Sequence, residues 1–262
     1  MLTDTQFQHF QTFGFVVLRQ LFTPEEQAII EKEFVGELEY VYRDQPFDGT
    51  RRFWVPMAGQ RTPFYTNLLE DPRLAGVAAQ VYGEDVLGIA TDSNRYVGNT
   101  GWHPDTASIH QFGVKFAFYL QSVGPESGAL RVIPGSHRDP LHSDLRENMK
   151  TLNLAIPDVP GYVCTSEPGD VVAFDLRLWH ASYGGSNDRW MSTCVYYNNP
   201  KTPEQEESTR NIGQWNKKVG AQFGRPNDPW LNADWIANTA GSPLRQRWID
   251  RMREMDFIPD RG

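Results

Sequence analysis

Over residues 86–199 the chain is cut by glycine and proline into short apolar or alternating runs, at 114–120, 129–133, 171–174 and 193–197. Runs this short, rich in valine, phenylalanine and tyrosine, cannot complete three turns of helix, but they match strands whose side chains alternate between two faces. Several such strands in succession predict a mainly β fold, a sandwich or barrel core. The chain of 262 residues, 39% hydrophobic, supplies a core of the size such a fold needs.

The flanks follow a different period. Thr3 with Gln6, and Thr23-Pro24-Glu25-Glu26, are helix-entry signals in which a hydroxyl caps the third amide and proline takes the first turn. The first helix is expected to end at Phe13 because Gly14 follows, with a short buried strand at 15–18. The second carries Ile29, Ile30, Phe34 and Leu38 at helical spacing, and a third helical patch is expected over 68–82. Beyond residue 200 the texture changes again, with helical candidates at 203–218 and 243–255. Four of the eight tryptophans lie there (Trp215, Trp230, Trp235 and Trp248). So much aromatic area predicts a tail packed on the core. No linker is visible, and the expectation is one domain over 1–262: a helical part (1–85), a β core (86–199) and a helical, tryptophan-rich extension (200–262).

Composition narrows the partners. With 25 basic against 33 acidic residues, a formal charge of −8, neither a nucleic-acid backbone nor an anionic membrane is the expected partner, whereas a small molecule is. No apolar run nears the roughly 18 residues of a membrane helix. The opening residues lack the basic stretch of a secretory leader. Cys164 and Cys194 form neither a disulfide framework nor the spacing of a zinc site. A cytoplasmic location is expected, and the oligomeric state is left open.

Chemistry concentrates in His103, Asp105 and His180. In extended chain, residues two apart share a face, so His103 and Asp105 aim at one point, and a second strand can bring in His180. Two imidazoles and one carboxylate make the facial set of non-haem iron(II) oxygenases, which leaves coordination positions open. A lone His-x-Asp pair is weak evidence; its company strengthens it. Gly128-Ala129-Leu130-Arg131-Val132-Ile133-Pro134-Gly135-Ser136-His137, the Gly-Asp-Val-Val-Ala-Phe block at 169–174, and Arg189 nine residues after His180 follow in order.

With these blocks the chain resembles the phytanoyl-CoA dioxygenase family of iron(II)- and 2-oxoglutarate-dependent oxygenases over roughly residues 1–200. The resemblance implies a double-stranded β-helix, the cupin-like jelly roll, with its ligands at the open mouth. It implies iron(II) on His103, Asp105 and His180, with 2-oxoglutarate and O2 as cosubstrates. Arg189 would pair with the distal carboxylate of 2-oxoglutarate in a planar bidentate match, joined by Ser182 and, more loosely, by Asn94. The interval from His180 to Arg189 is shorter than is usual in the family, and Arg177 is the fallback. The implied reaction is oxidative decarboxylation to succinate and CO2 coupled to oxidation, usually hydroxylation, of the substrate. Asp105 keeps the carboxylate that halogenating relatives lack, which implies oxygenation.

The remaining candidates carry two readings each. Lys115 serves the cosubstrate or marks a strand edge. His110 faces the pocket or caps the strand beginning near Val114. Arg52, Trp54, Arg95, Tyr96 and Trp102 are candidate substrate contacts or ordinary loop and core residues, and Arg51-Arg52 favours an anionic group on the substrate. His137 reads as a turn residue, His9 and His142 as surface residues. The alternatives to a 2-oxoglutarate hydroxylase are a cupin-like metalloenzyme working without 2-oxoglutarate, against which Arg189 and Ser182 speak, and a non-catalytic small-molecule binding protein.

Overall fold

The computed structural model describes residues 1–258 except 107, 153–154, 186 and 226–228, and leaves the side chains of 150 and 152 undescribed. Helix α1 (Asp4–Phe13) opens with a reciprocal cap: the Thr3 hydroxyl accepts from the Gln6 amide, and the Gln6 side chain accepts from the Thr3 amide. Gly14 closes it at φ +82°, a left-handed turn glycine takes at little cost, and leads straight into β1 (Phe15–Leu18). Helix α2 (Pro24–Val41) repeats the cap with Thr23 and Glu26 and buries Ile30, Phe34 and Leu38, whereas Ile29 faces solvent. After β2 (Phe53–Pro56) comes a short helix that was not expected, α3 (Pro63–Leu68), and the helical patch expected over 68–82 is α4 (Pro72–Tyr82). Pro72 has no amide hydrogen to continue a helix, and the Asp71 carboxylate caps the new one at Arg73.

The core strands are β3 (Leu87–Tyr96), β4 (Thr100–His103), β5 (Gly113–Tyr119), β6 (Leu130–Val132), β7 (Tyr162–Cys164), β8 (Val171–Asp175), β9 (His180–Ser182) and β10 (Arg189–Tyr197). Every pairing among the described strands is antiparallel. One sheet runs β1-β8-β5-β10-β3-β2 and the other β4-β9-β6-β7. Both edges of the larger sheet come from the first 85 residues. The expected all-strand texture of 86–199 is interrupted by α5 (Leu141–Leu152), where Leu141, Leu145 and Met149 recur every four residues.

Registers place the chemistry. In β10, Arg189 lies opposite Tyr96, Met191 between Asn94 and Tyr119, and Thr193 between Asp92 and Ala117. Directly paired residues share a face, so this polar set points one way while Phe116, Phe118, Cys194 and Tyr196 point the other, into the main hydrophobic core. The carboxy-terminal part, α6 (Pro203–Asn216), a 3₁₀ segment (Val219–Phe223), α7 (Ala233–Ala237) and α8 (Pro243–Glu254), buries Trp230, Trp235 and Trp248. Trp248 packs over Gly88 of β3 and donates its indole N–H to the Val86 carbonyl at 2.9 Å. No described helix is long and apolar enough to cross a membrane.

Candidate active site

His103 and His180 are direct partners in the β4–β9 pair, which brings their ring centroids to 4.4 Å. Each ring is aimed by the carbonyl two residues before it. His103 Nδ1 lies 2.8 Å from the Gly101 carbonyl oxygen, and His180 Nδ1 2.9 Å from that of Leu178. A carbonyl only accepts, so Nδ1 carries a proton in both rings and Nε2 is the atom turned to the site. Asp105 follows His103 by two residues, and its amide is tied to the Leu176 carbonyl at 2.9 Å. Its Oδ1 sits 3.8 Å from His180 Nε2. One ligand atom from each of the three lies within 4.8 Å of the others, the only such cluster among the described residues.

The electrostatics suit a divalent cation. Burial alone would raise the Asp105 carboxyl, but the Lys115 ammonium and the two imidazoles outweigh it and hold it at about 2. Lys115 Nζ stands 2.8 Å from Asp105 Oδ2. Burial would lower this ammonium, yet Asp105 and Asp92 raise it above its ordinary value. Lys115 lies mid-sheet on β5, between β8 and β10, and not at a strand edge. His180 is pushed down to about 3, by burial first and the neighbouring His103 second, so its imidazole is neutral at physiological pH.

The same cavity, of about 340 Å³, contains Arg189. The arginine is 1% exposed, gives Nη2 to the Ser182 hydroxyl at 3.0 Å, and has no hydrogen-bond partner at Nε. Among the described residues it pairs with no carboxylate. A buried guanidinium without a counter-ion costs several kcal/mol, on the order of 3–5 when one partner of a buried pair is missing. The fold has made room for it: a Cβ at Gly128 or Gly185 would collide with its Nη1. The fallback Arg177 is spent elsewhere, in a bidentate pair with Asp175 at 2.9 and 2.6 Å.

Of the other sequence candidates, Arg52, Trp54 and Tyr96 line the cavity. Asn94 stands behind it, accepting from Arg52. Arg95 is turned away onto Asp188, with Oδ contacts at 2.9 and 2.6 Å, Trp102 donates to the Ile156 carbonyl, and His110 is exposed. These three do not reach the cavity. His142, expected at the surface, is buried with Nδ1 against the Ser136 and Arg177 carbonyls. Sequence reasoning missed Asp92, Tyr119 and Met191, which the β3–β10–β5 register puts on the inner face. It also missed Trp215, Phe223 and Trp230, which the tail folds over the mouth. Their signal was alternation with Arg189 and Tyr96 for the first group, and none for the second.

A profile of the phytanoyl-CoA dioxygenase family matches residues 10–191, well over half of the sequence. The chain belongs to the phytanoyl-CoA dioxygenase family. Within it, the chain is 25% identical over 220 residues to an ectoine dioxygenase of Bordetella bronchiseptica, an alignment covering 69% of this chain and 70% of that one. The crystal structure of EctD from S. alaskensis with 2-oxoglutarate and 5-hydroxyectoine is similar with a TM-score of 0.58 at 23% identity, over 78% of this chain and 79% of that chain. EvdMO1 is similar with a TM-score of 0.58 at 24% identity, over 75% of this chain but 50% of that one, so this chain spans about half the length of EvdMO1. At these identities the structural likeness carries the fold, a jelly-roll core with flanking helices. This family member is an iron(II)- and 2-oxoglutarate-dependent dioxygenase, with O2 as the oxidant.

Proposed function

We propose that this dioxygenase hydroxylates a small or medium-sized organic molecule: one atom of O2 enters a C–H bond of the substrate and the other enters succinate, as 2-oxoglutarate loses CO2. His103, Asp105 and His180 hold the iron(II), which when bound activates oxygen beside the chelated cosubstrate. Arg189, steadied by Ser182, takes the distal carboxylate of 2-oxoglutarate. Lys115 acts on Asp105, neutralising one carboxylate oxygen while the other faces the His180 imidazole. Asn94 acts through Arg52. Residues 1–262 work as one catalytic unit in the cytoplasm, where the two buried free thiols stay reduced, and no nucleic acid or membrane takes part.

One observation carries this reading. The buried Arg189 guanidinium, with Nε unpartnered and no carboxylate of the described residues paired with it, opens on the same cavity as the two-histidine, one-aspartate set. A carboxylate arriving there recovers the cost of burying the cation. Anaerobic titration of the purified protein with ferrous ion and then 2-oxoglutarate tests it. The expected result is the weak visible charge-transfer band of a chelated 2-oxo acid, lost or shifted to at least 10-fold higher 2-oxoglutarate in Arg189→Ala while iron still binds. An unchanged titration in Arg189→Ala sinks the cosubstrate assignment, and iron binding that survives the loss of His103, Asp105 and His180 together sinks the metal assignment.

A further inference from the structure

Two charged side chains of the cavity wall lie outside the iron and cosubstrate set proposed above. Arg52, half-buried, gives Nε and Nη2 to the Asn94 carbonyl oxygen at 2.9 and 2.6 Å and lays its guanidinium over the rings of Tyr96 (3.8 Å) and Phe223 (4.8 Å). No described carboxylate pairs with it, and no described residue accepts from Nη1. Asp92, 8% exposed, turns Oδ1 to the Asn94 amide nitrogen at 3.1 Å and the Thr193 hydroxyl at 2.9 Å. No described residue hydrogen-bonds its Oδ2. No described cation forms an ion pair with it, and Lys115 is engaged with Asp105 at 2.8 Å.

Asn94 stands between the two charges. Its orientation is forced, because the flipped amide would press its NH2 on the guanidinium and its carbonyl on the carboxylate. A direct Arg52–Asp92 pair would satisfy both charges internally. The amide instead spaces them, and each keeps hydrogen-bonding capacity for a ligand in the same cavity.

We propose that the substrate is a small zwitterion of amino-acid type, its carboxylate received by Arg52 and its ammonium by Asp92. The inference rests on the dioxygenase reading of this cavity. A purely anionic substrate would leave Asp92 repelling it, and a purely cationic one would meet Arg52. At about 340 Å³, shared with 2-oxoglutarate, the cavity is at the small end of ligand sites and does not enclose the body of an acyl thioester. Trp54, Trp215, Phe223 and Trp230 supply aromatic walls for the rest of the molecule.

The test begins with the charge-transfer titration on the native enzyme; no band means the dioxygenase reading itself has failed. With the band in place, succinate release is followed for the free L-amino acids, their N-acetyl derivatives and their carboxamides. At least one free amino acid is expected to stimulate release, with both blocked forms poorer by on the order of 10- to 100-fold in KM, the loss of one charge-assisted contact. Arg52→Gln should erase the preference for acid over carboxamide and keep the preference for free amine over N-acetyl; Asp92→Asn should do the reverse. Should either variant fail to fold, calorimetric binding of free and blocked forms to the native enzyme decides instead. The proposal is overturned if the band forms but no free amino acid outperforms its blocked forms, or if each variant weakens free and blocked forms alike.

Discussion

At the scale of single residues, the site depends on side chains that are absent as much as on those present. Gly128 has φ +82°, and a methyl group there would strike the Arg189 guanidinium. Gly128→Ala should therefore weaken 2-oxoglutarate binding at least 10-fold, by displacing the guanidinium and straining a left-handed residue, with iron binding kept. A ferrous titration followed by 2-oxoglutarate measures both, and an unchanged cosubstrate affinity would show that Arg189 is not held from this side. The metal candidates were legible in the sequence because His-x-Asp alternation and a distal histidine are local patterns, and Arg189 because it followed at a short interval. Asp92 was not legible, since an aspartate in a run of alternating residues looks like any solvent-facing one until its strand is known to have neighbours on both sides.

Elements decide how the site is enclosed. The carboxy-terminal helices carry little intrinsic reason to pack where they do, but Trp248 of α8 lies against Gly88, whose missing side chain admits the indole; a Cβ there would come within 2.5 Å of it. Trp248→Ala should cost about 3–5 kcal/mol of stability, the loss of a large buried aromatic and of its bond to Val86, read from the urea midpoint. A loss under 1 kcal/mol would mean that α8 is not anchored through this contact. Phe223, from the 3₁₀ segment after α6, reaches the cavity and covers Arg52. Phe223→Ala should raise the KM of the organic substrate severalfold while leaving the 2-oxoglutarate titration in place; equal losses in both would mean that the segment supports the whole site. Two of these helices, α6 and α8, were expected from the sequence, whereas α7 and the 3₁₀ segment were not. Their docking was not legible, because a local helical pattern says nothing of which surface the helix meets.

The whole molecule holds three histidines neutral against solvent. Burial lowers His137 and His142, and His180 falls to about 3. Unfolding returns them to about 6.5, so below that pH the unfolded chain binds more protons and stability falls as pH falls. Stability is complete above about 6.5 and, for His180, declines through the interval down to about 3. The metal-free protein should therefore be less stable at pH 5 than at pH 7, by on the order of 2 kcal/mol from His180 alone, as measured by urea unfolding at the two values. A flat profile would contradict the neutral, buried state of that ring.

The sequence alone determined the mainly β core, the capped helices before it, two of the helices after it, and the identities of three metal-binding candidates, since each is a local pattern of periodicity, capping or spacing. The tertiary structure decided that His103 and His180 face one another across a strand pair, that Arg189 rather than Arg177 opens on the cavity, and that Arg52 and Asp92 are spaced by one asparagine amide. Strand register and sheet order make those choices, through hydrogen bonds between residues up to about a hundred positions apart, and no local sequence pattern encodes which distant strand becomes a neighbour.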